Sequence, residues 1–174
     1  MKMSIIFSSL TGNTKKVAYE ILKMMPEDTT IYDLKELDHD SEEGILILGY
    51  WVDRANPNKE MYEFMEALRG KKIITFGTMG AYPDSQHAEE TKNNTTGILA
   101  TNNTVLGNFL CQGKINPKIT EMFMKSSVEK NGHTMTPERL KRHEDAAKHP
   151  NEEDFTNVRE FVETTINNFL EGEG

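Results

Sequence analysis

Cysteine occurs once in the 174 residues, at Cys111, so the chain can form no internal disulfide and no cysteine-built metal centre. A lone thiol of this kind reads as a small buried residue of a strand. Positive charge is also short, with 20 Lys and Arg against 28 Asp and Glu, for a formal charge of −8. That balance argues against nucleic acid as a partner, because phosphate contacts need a basic face. Long hydrophobic runs are missing, and no stretch is long enough to cross a bilayer. The start of the chain lacks a basic segment followed by an apolar core, so no secretory signal is expected, and a soluble, cytoplasmic protein is. Two familiar phosphate signatures are absent from the first turn as well. There is no Gly-x-x-x-x-Gly-Lys-Ser/Thr and no Gly-x-Gly-x-x-Gly. The five histidines, His39, His87, His133, His143 and His149, are scattered through polar segments and read as solvated. Neither a Ser-His-Asp set nor a metal-ligand spacing emerges, so no catalytic and no metal-ligating residue is assigned.

What the chain does have is the stretch Ser9-Leu10-Thr11-Gly12-Asn13-Thr14, joining the apolar run Ile5-Ile6-Phe7 to the periodic run Val17, Ala18, Ile21, Leu22, Met25. The first run predicts a buried strand, the second a helix closed by Pro26. The turn between them gathers hydroxyls, an amide and free backbone N–H groups at a helix N-terminus, an arrangement suited to an anion. Gly12 is the residue there that accepts a positive φ. Simple helix capping by Ser, Thr and Asn is the alternative reading of the same residues.

Strand and helix continue to alternate. Residues 29–34 predict an edge strand and 44–49 an apolar strand bracketed by glycines. Residues 50–57 read as a loop with the single tryptophan, and Asn58 caps a helix through Met61, Phe64, Met65 and Leu68 that Gly70 ends. A strand over 72–76, a second loop over 77–84, a helix from about Ser85 to Ala100 and a strand over 104–110 follow. This order predicts an α/β doubly wound sheet of five parallel strands with helices on both faces. Residues 114–149 are less regular. A short helix around Ile119–Met124 and another capped at Thr136 with Pro137 in its first turn are expected there, before a long amphipathic helix beginning near Pro150. The whole is read as one domain, 1–174, with 114–149 as a mostly helical addition.

In such a sheet, ligands sit beyond the carboxyl ends of the strands, where strand order reverses. The loops after the first, third and fourth strands meet at that edge, and they bring Tyr50, Trp51 and Tyr82 with the hydroxyl-rich turn. Aromatics there suit a flat, electron-poor ring.

The pattern Ser/Thr-x-Thr-Gly-x-Thr at 9–14 resembles the phosphate loop of the flavodoxins, and the resemblance extends over about residues 1–113 and the final helix. It implies strand order 2-1-3-4-5 and FMN as cofactor. Ser9, Leu10, Thr11, Gly12, Asn13 and Thr14 would then hold the phosphate through hydroxyls and main-chain N–H groups. Tyr50, Trp51 and Val52 from one loop, and Thr78, Met79, Gly80 and Tyr82 from the other, would flank the ring. In this family a glycine usually follows the tryptophan, and its peptide turns over on flavin reduction. Val52 stands there instead, which predicts weak stabilisation of the one-electron-reduced state, with Asn56 as the nearby residue most tolerant of a turn. The function implied is electron transfer to or from a redox partner with a basic face. From Glu27 to Glu63 there are eleven acids against three bases, and these would steer that partner. The protein itself would be a monomer or weak dimer. Two other functions fit the same resemblance: an NAD(P)H-dependent FMN or quinone reductase using Asp53, Arg54 or Asp84 on substrate, and an accessory flavoprotein of a larger enzyme such as a bilirubin reductase.

Overall fold

The computed structural model describes residues 1–37, 44–125 and 135–172. Its spine is the apolar run Ile5-Ile6-Phe7, which lies in strand β1 (Met3–Phe7) with every residue buried. β1 pairs in parallel with β2 (Thr30–Asp33) on one side and with β3 (Ile45–Asp53) on the other. Beyond β3 lie β5 (Lys72–Met79) and β6 (Thr104–Gln112), both parallel, while the two-residue β4 (Asn56–Pro57) folds back antiparallel onto β3. Among the described residues the sheet therefore has six strands. Its five-strand parallel path, β2-β1-β3-β5-β6, runs in the expected order with one small side strand added.

Helices cover both faces. α1 (Asn13–Leu22) and α6 (Glu152–Gly172) pack on one, burying Val17, Ala18 and Ile21 against Val158, Val162 and Ile166 over β1 and β3. α2 (Lys59–Ala67) and α3 (Gln86–Ala100) cover the other, where Met61, Met65, Ala88 and Leu99 meet Ile6, Leu46, Leu48 and Ile73. Strands buried on both faces read as continuous apolar runs, which is why β1 and the start of β3 were legible without alternation. Cys111 is buried in β6, as its isolation suggested.

Two differences from the sequence reading bear on function. Residues 50–53 are not loop, because β3 runs on to Asp53 with Tyr50 and Trp51 still in register with Gly77 and Thr78 of β5. Aromatic and β-branched side chains favour this continuation. The reversal is a two-residue turn, Arg54–Ala55, with both residues at positive φ (49° and 60°), so the positive-φ positions are these rather than Val52 or Asn56. Asn58 stands at the N-cap of α2 but makes no capping hydrogen bond; its side chain is fully buried and used elsewhere.

After β6 come α4 (Pro117–Lys125) and α5 (Pro137–Ala146), the latter capped as expected by the Thr136 hydroxyl, which accepts from the Arg139 N–H at 3.2 Å. Of the histidines read as solvated, His87 is exposed. His143 is buried instead, its Nδ1 2.8 Å from the Thr120 hydroxyl and its ring near Phe123, so it joins α5 to α4. His149 pairs with Asp154 at 2.6 Å. His39 and His133 lie outside the described residues.

Candidate functional site

Every parallel strand ends at one edge of the sheet, and at the reversal between β1 and β3 a cleft of about 260 Å³ opens. Its near wall is the turn after β1. Gly12 takes φ 96°, a left-handed conformation that starts α1 without a side-chain cap. The Ser9 hydroxyl accepts from the Gly12 and Lys15 N–H groups at 3.2 and 3.3 Å. The N–H groups of Asn13 and Thr14 belong to the first turn, where the helix supplies no partner. Ser9, Leu10, Thr11, Asn13 and Thr14 all line the cleft. The Thr14 hydroxyl is already engaged, bonded at 2.8 Å to that of Thr78 beneath the cleft, whereas Thr11 is exposed.

The far wall is the extended end of β3, with Trp51, Val52 and Asp53, and the floor is Thr78, Met79 and Gly80 from the end of β5. Asn58 sets the position of this wall. Its Oδ1 accepts from the Trp51 N–H at 3.3 Å, and its own N–H donates to the Trp51 carbonyl at 2.9 Å. Its amide nitrogen also donates to the Ser8 hydroxyl at 2.8 Å and to Glu60 at 2.9 Å. One buried amide thus links the end of β1, the Trp51 peptide and the start of α2. The bond from Asn58 holds the Glu60 carboxyl below its ordinary pKa.

The structure does not bring Tyr50, Tyr82 or Gly12 to the cleft surface. Tyr50 points into the core between α3 and β6. Its hydroxyl donates to Asn108 and accepts from Thr95, and burial pushes its pKa up to about 12. One residue along a strand reverses the face, so the side chains of Tyr50 and Trp51 point to opposite faces of the sheet. Tyr82 turns toward α5 and donates to Asp145 at 2.9 Å; that carboxylate, also held by Lys141 and Lys148, has its pKa drawn down to about 2. Gly12 contributes its conformation.

The segment after β6 was missed as part of the site. Gly113, Lys114, Ile115, Asn116 and Ile119 close the cleft opposite Trp51. Gly113 donates to the Met79 carbonyl at 2.8 Å, and the Asn13 side chain donates to the Lys114 carbonyl at 3.0 Å. A Cβ at position 113 would lie 2.8 Å from the Asn13 amide, so the glycine permits this approach. The available signal was topological, since β6 ends at the same edge as β1, β3 and β5. Among the described residues no group of three His, Cys, Asp or Glu is placed to hold a metal ion, and no helix is long and apolar enough to cross a membrane.

An open parallel sheet with a polar, anion-suited turn at its reversal point defines a nucleotide-binding α/β protein of the doubly wound class. Residues 4–163 match the family described as Flavodoxin domain, and the chain belongs to the flavodoxin family. It is 33% identical over 171 residues to the flavodoxin-like domain-containing protein BilS of Clostridioides difficile (strain CD3), covering 95% of this chain and 97% of that one. Identity to the protein of the same name from Clostridium symbiosum (strain WAL-14163) is 28% over 150 residues, covering 75% and 77%. Among solved structures, general stress protein 14 from Treponema denticola, in complex with FMN, aligns over 93% of this chain and 99% of its own, at 14% identity and a TM-score of 0.48.

Proposed function

We propose that this protein binds FMN in the cleft between the 9–14 turn and Trp51 and carries electrons to or from a partner redox enzyme. The observation that carries this reading is the joining, in one cleft, of an anion-suited helix N-terminus to an aromatic side chain at the strand reversal. The donor set fits the group. The Thr11 hydroxyl, the Asn13 amide and the N–H groups opening α1 suit a phosphate, and the half-buried Trp51 with Val52 and Met79 suits a flat ring. FMN, when bound, supplies one- and two-electron redox chemistry. The chain's own part is to hold the phosphate, fix the Trp51 peptide through Asn58, and exclude water with Met79 and Ile115.

The partner in this reading carries a basic face. Asp53 and Glu60, near the end of β3, lie within the acidic 27–63 stretch and provide negative charge beside the cleft. A cytoplasmic setting suits the single, buried thiol. Reconstitution with FMN followed by reduction assays tests the proposal. The expected result is a yellow holoprotein that NADH and NADPH reduce slowly, but that a separate reductase reduces quickly in low salt. Rapid direct oxidation of NAD(P)H would make it a reductase instead, and failure to retain FMN would remove the flavin reading.

A further inference from the structure

The helix α4 is amphipathic, yet none of its residues is buried. Its inner side meets α5, where the Thr120 hydroxyl and the Phe123 ring approach His143. Turning around the helix from that side come Ile119 and then Met122, three residues apart and so neighbours on one face. Both are exposed, Met122 by 57%. Lys118 and Lys125, seven residues apart, border this apolar row on its outer edge, and neither pairs with a carboxylate among the described residues. Glu121, the one carboxylate of α4, lies beyond the lysines. The row starts at the first cleft. Ile119 lines that cleft beside Lys114, and Leu10, 65% exposed, lines it from the 9–14 turn. The opposite wall carries Asp53, which is exposed too. One rim of the cleft is therefore apolar and basic, and the other acidic.

An exposed apolar row at the side of a cleft, edged by charges of one sign, has the make-up of an interaction surface. Methionine in such a row adapts its shape to what it meets. Lysines on one rim and a carboxylate on the other fix how a partner can sit, because a like charge on either side is repelled. We propose that α4 and Leu10 form the docking surface for the partner redox enzyme, which lays an apolar row flanked by carboxylates against Ile119 and Met122 and sets basic groups opposite Asp53. The inference rests on the electron-transfer reading and extends it, by giving the partner both signs of charge in a fixed order across the cleft. A partner basic throughout would meet Lys118 and Lys125 with like charge. Docking there seats the partner over the cleft that the flavin would occupy.

Two synthetic helical peptides test this, each with the same row of leucines, flanked by glutamate in one and by lysine in the other. They are titrated into the full, FMN-loaded chain and followed by calorimetry and by backbone amide NMR shifts. The glutamate peptide is expected to bind about tenfold more tightly than the lysine peptide, with the largest shifts at Leu10, Ile119 and Met122. Lys118→Glu combined with Lys125→Glu should reverse that preference. Met122→Gln should weaken the glutamate peptide about fivefold, as for the loss of a partly buried apolar contact. Met122, Lys118 and Lys125 are exposed and do not line the first cleft, so FMN affinity should stay unchanged in these variants. Equal binding of the two peptides, or shifts confined to another face, would overturn the proposal. Self-association through α4 without peptide, or binding to phosphatidylglycerol vesicles in place of the peptide, would overturn it too, by giving the row a different occupant. A protein that keeps FMN but shows no peptide preference leaves the electron carrier standing without this surface. A protein that cannot keep FMN removes the redox partner and the docking proposal together.

Discussion

Trp51 is bonded through both of its peptide groups to one residue, Asn58, whose Oδ1 accepts the Trp51 N–H at 3.3 Å and whose N–H reaches the Trp51 carbonyl at 2.9 Å. The residue expected only to cap a helix is therefore the clamp on the wall of the cleft. Asn58→Ala would leave the Trp51 N–H and the Ser8 hydroxyl without partners in a fully buried site. A loss of about 1–3 kcal/mol is expected, read as a lower urea midpoint at unchanged slope. Unaltered stability would show that water replaces the amide.

The same clamp bears on redox behaviour. Val52 is extended and paired with Pro57, and the Trp51 carbonyl next to it is already bonded, so the peptide between them is not free to turn over. The two one-electron couples are therefore expected to lie close together. A redox titration followed by visible absorbance measures this, with about 59 mV for each tenfold change in a one-electron equilibrium. A wide separation, with the one-electron state dominant at half reduction, would show that the segment rearranges.

Thr11 and Thr14 should separate cleanly. Thr11 is exposed in the cleft, so Thr11→Ala is expected to weaken FMN by about 1–2 kcal/mol and leave the apoprotein unchanged. Thr14 bonds the buried Thr78 hydroxyl, so Thr14→Ala is expected to lower apoprotein stability by about 1–3 kcal/mol. Thermal melts with and without FMN distinguish the two, and riboflavin should bind far more weakly than FMN to the parent chain.

Arg54 at φ 49° and Ala55 at φ 60° occupy a turn that usually takes Asn-Gly. Arg54→Asn should stabilise the apoprotein by about 0.5–1 kcal/mol, because Asn tolerates the left-handed region. A thermal melt of the apoprotein checks this, and an unchanged or lower midpoint would count against it.

His143 is buried, and desolvation, reinforced by Arg142 and Arg139 on its own helix, holds its pKa below 6.5. The groups it meets on α4, the Thr120 hydroxyl and the Phe123 ring, carry no charge. The unfolded chain takes up the proton first on acidification. Its contribution is therefore complete above about pH 6.5 and declines as the pH falls below that value. His143→Gln should flatten the stability profile below about pH 6.5.

Much of the fold was legible because strands buried on both faces leave unbroken apolar runs and amphipathic helices leave 3.6-residue periods. Ile5-Ile6-Phe7, Ile45–Leu48 and the stripe at Val158, Val162 and Ile166 carry those signals directly. The 9–14 turn was legible for a local reason too. Gly12 needs its positive φ whatever the rest of the chain does, and the hydroxyls around it act within a few residues.

Local sequence could not say which neighbours those residues would find. Tyr50 and Trp51 are adjacent and both aromatic, yet pleating sends one into the core and the other to the cleft. That choice depends on the register of β3 against β5. Thr14 meets Thr78, Asn13 meets Lys114, and Asn58 meets Ser8 across separations of 64, 101 and 50 residues. The sequence by itself determined the order of elements, the anion-suited turn and the family. The tertiary structure alone decided which aromatic lines the cleft, that Asn58 holds it, and that the chain after β6 lines the cleft too, because each of these depends on strand pairing that no local pattern encodes.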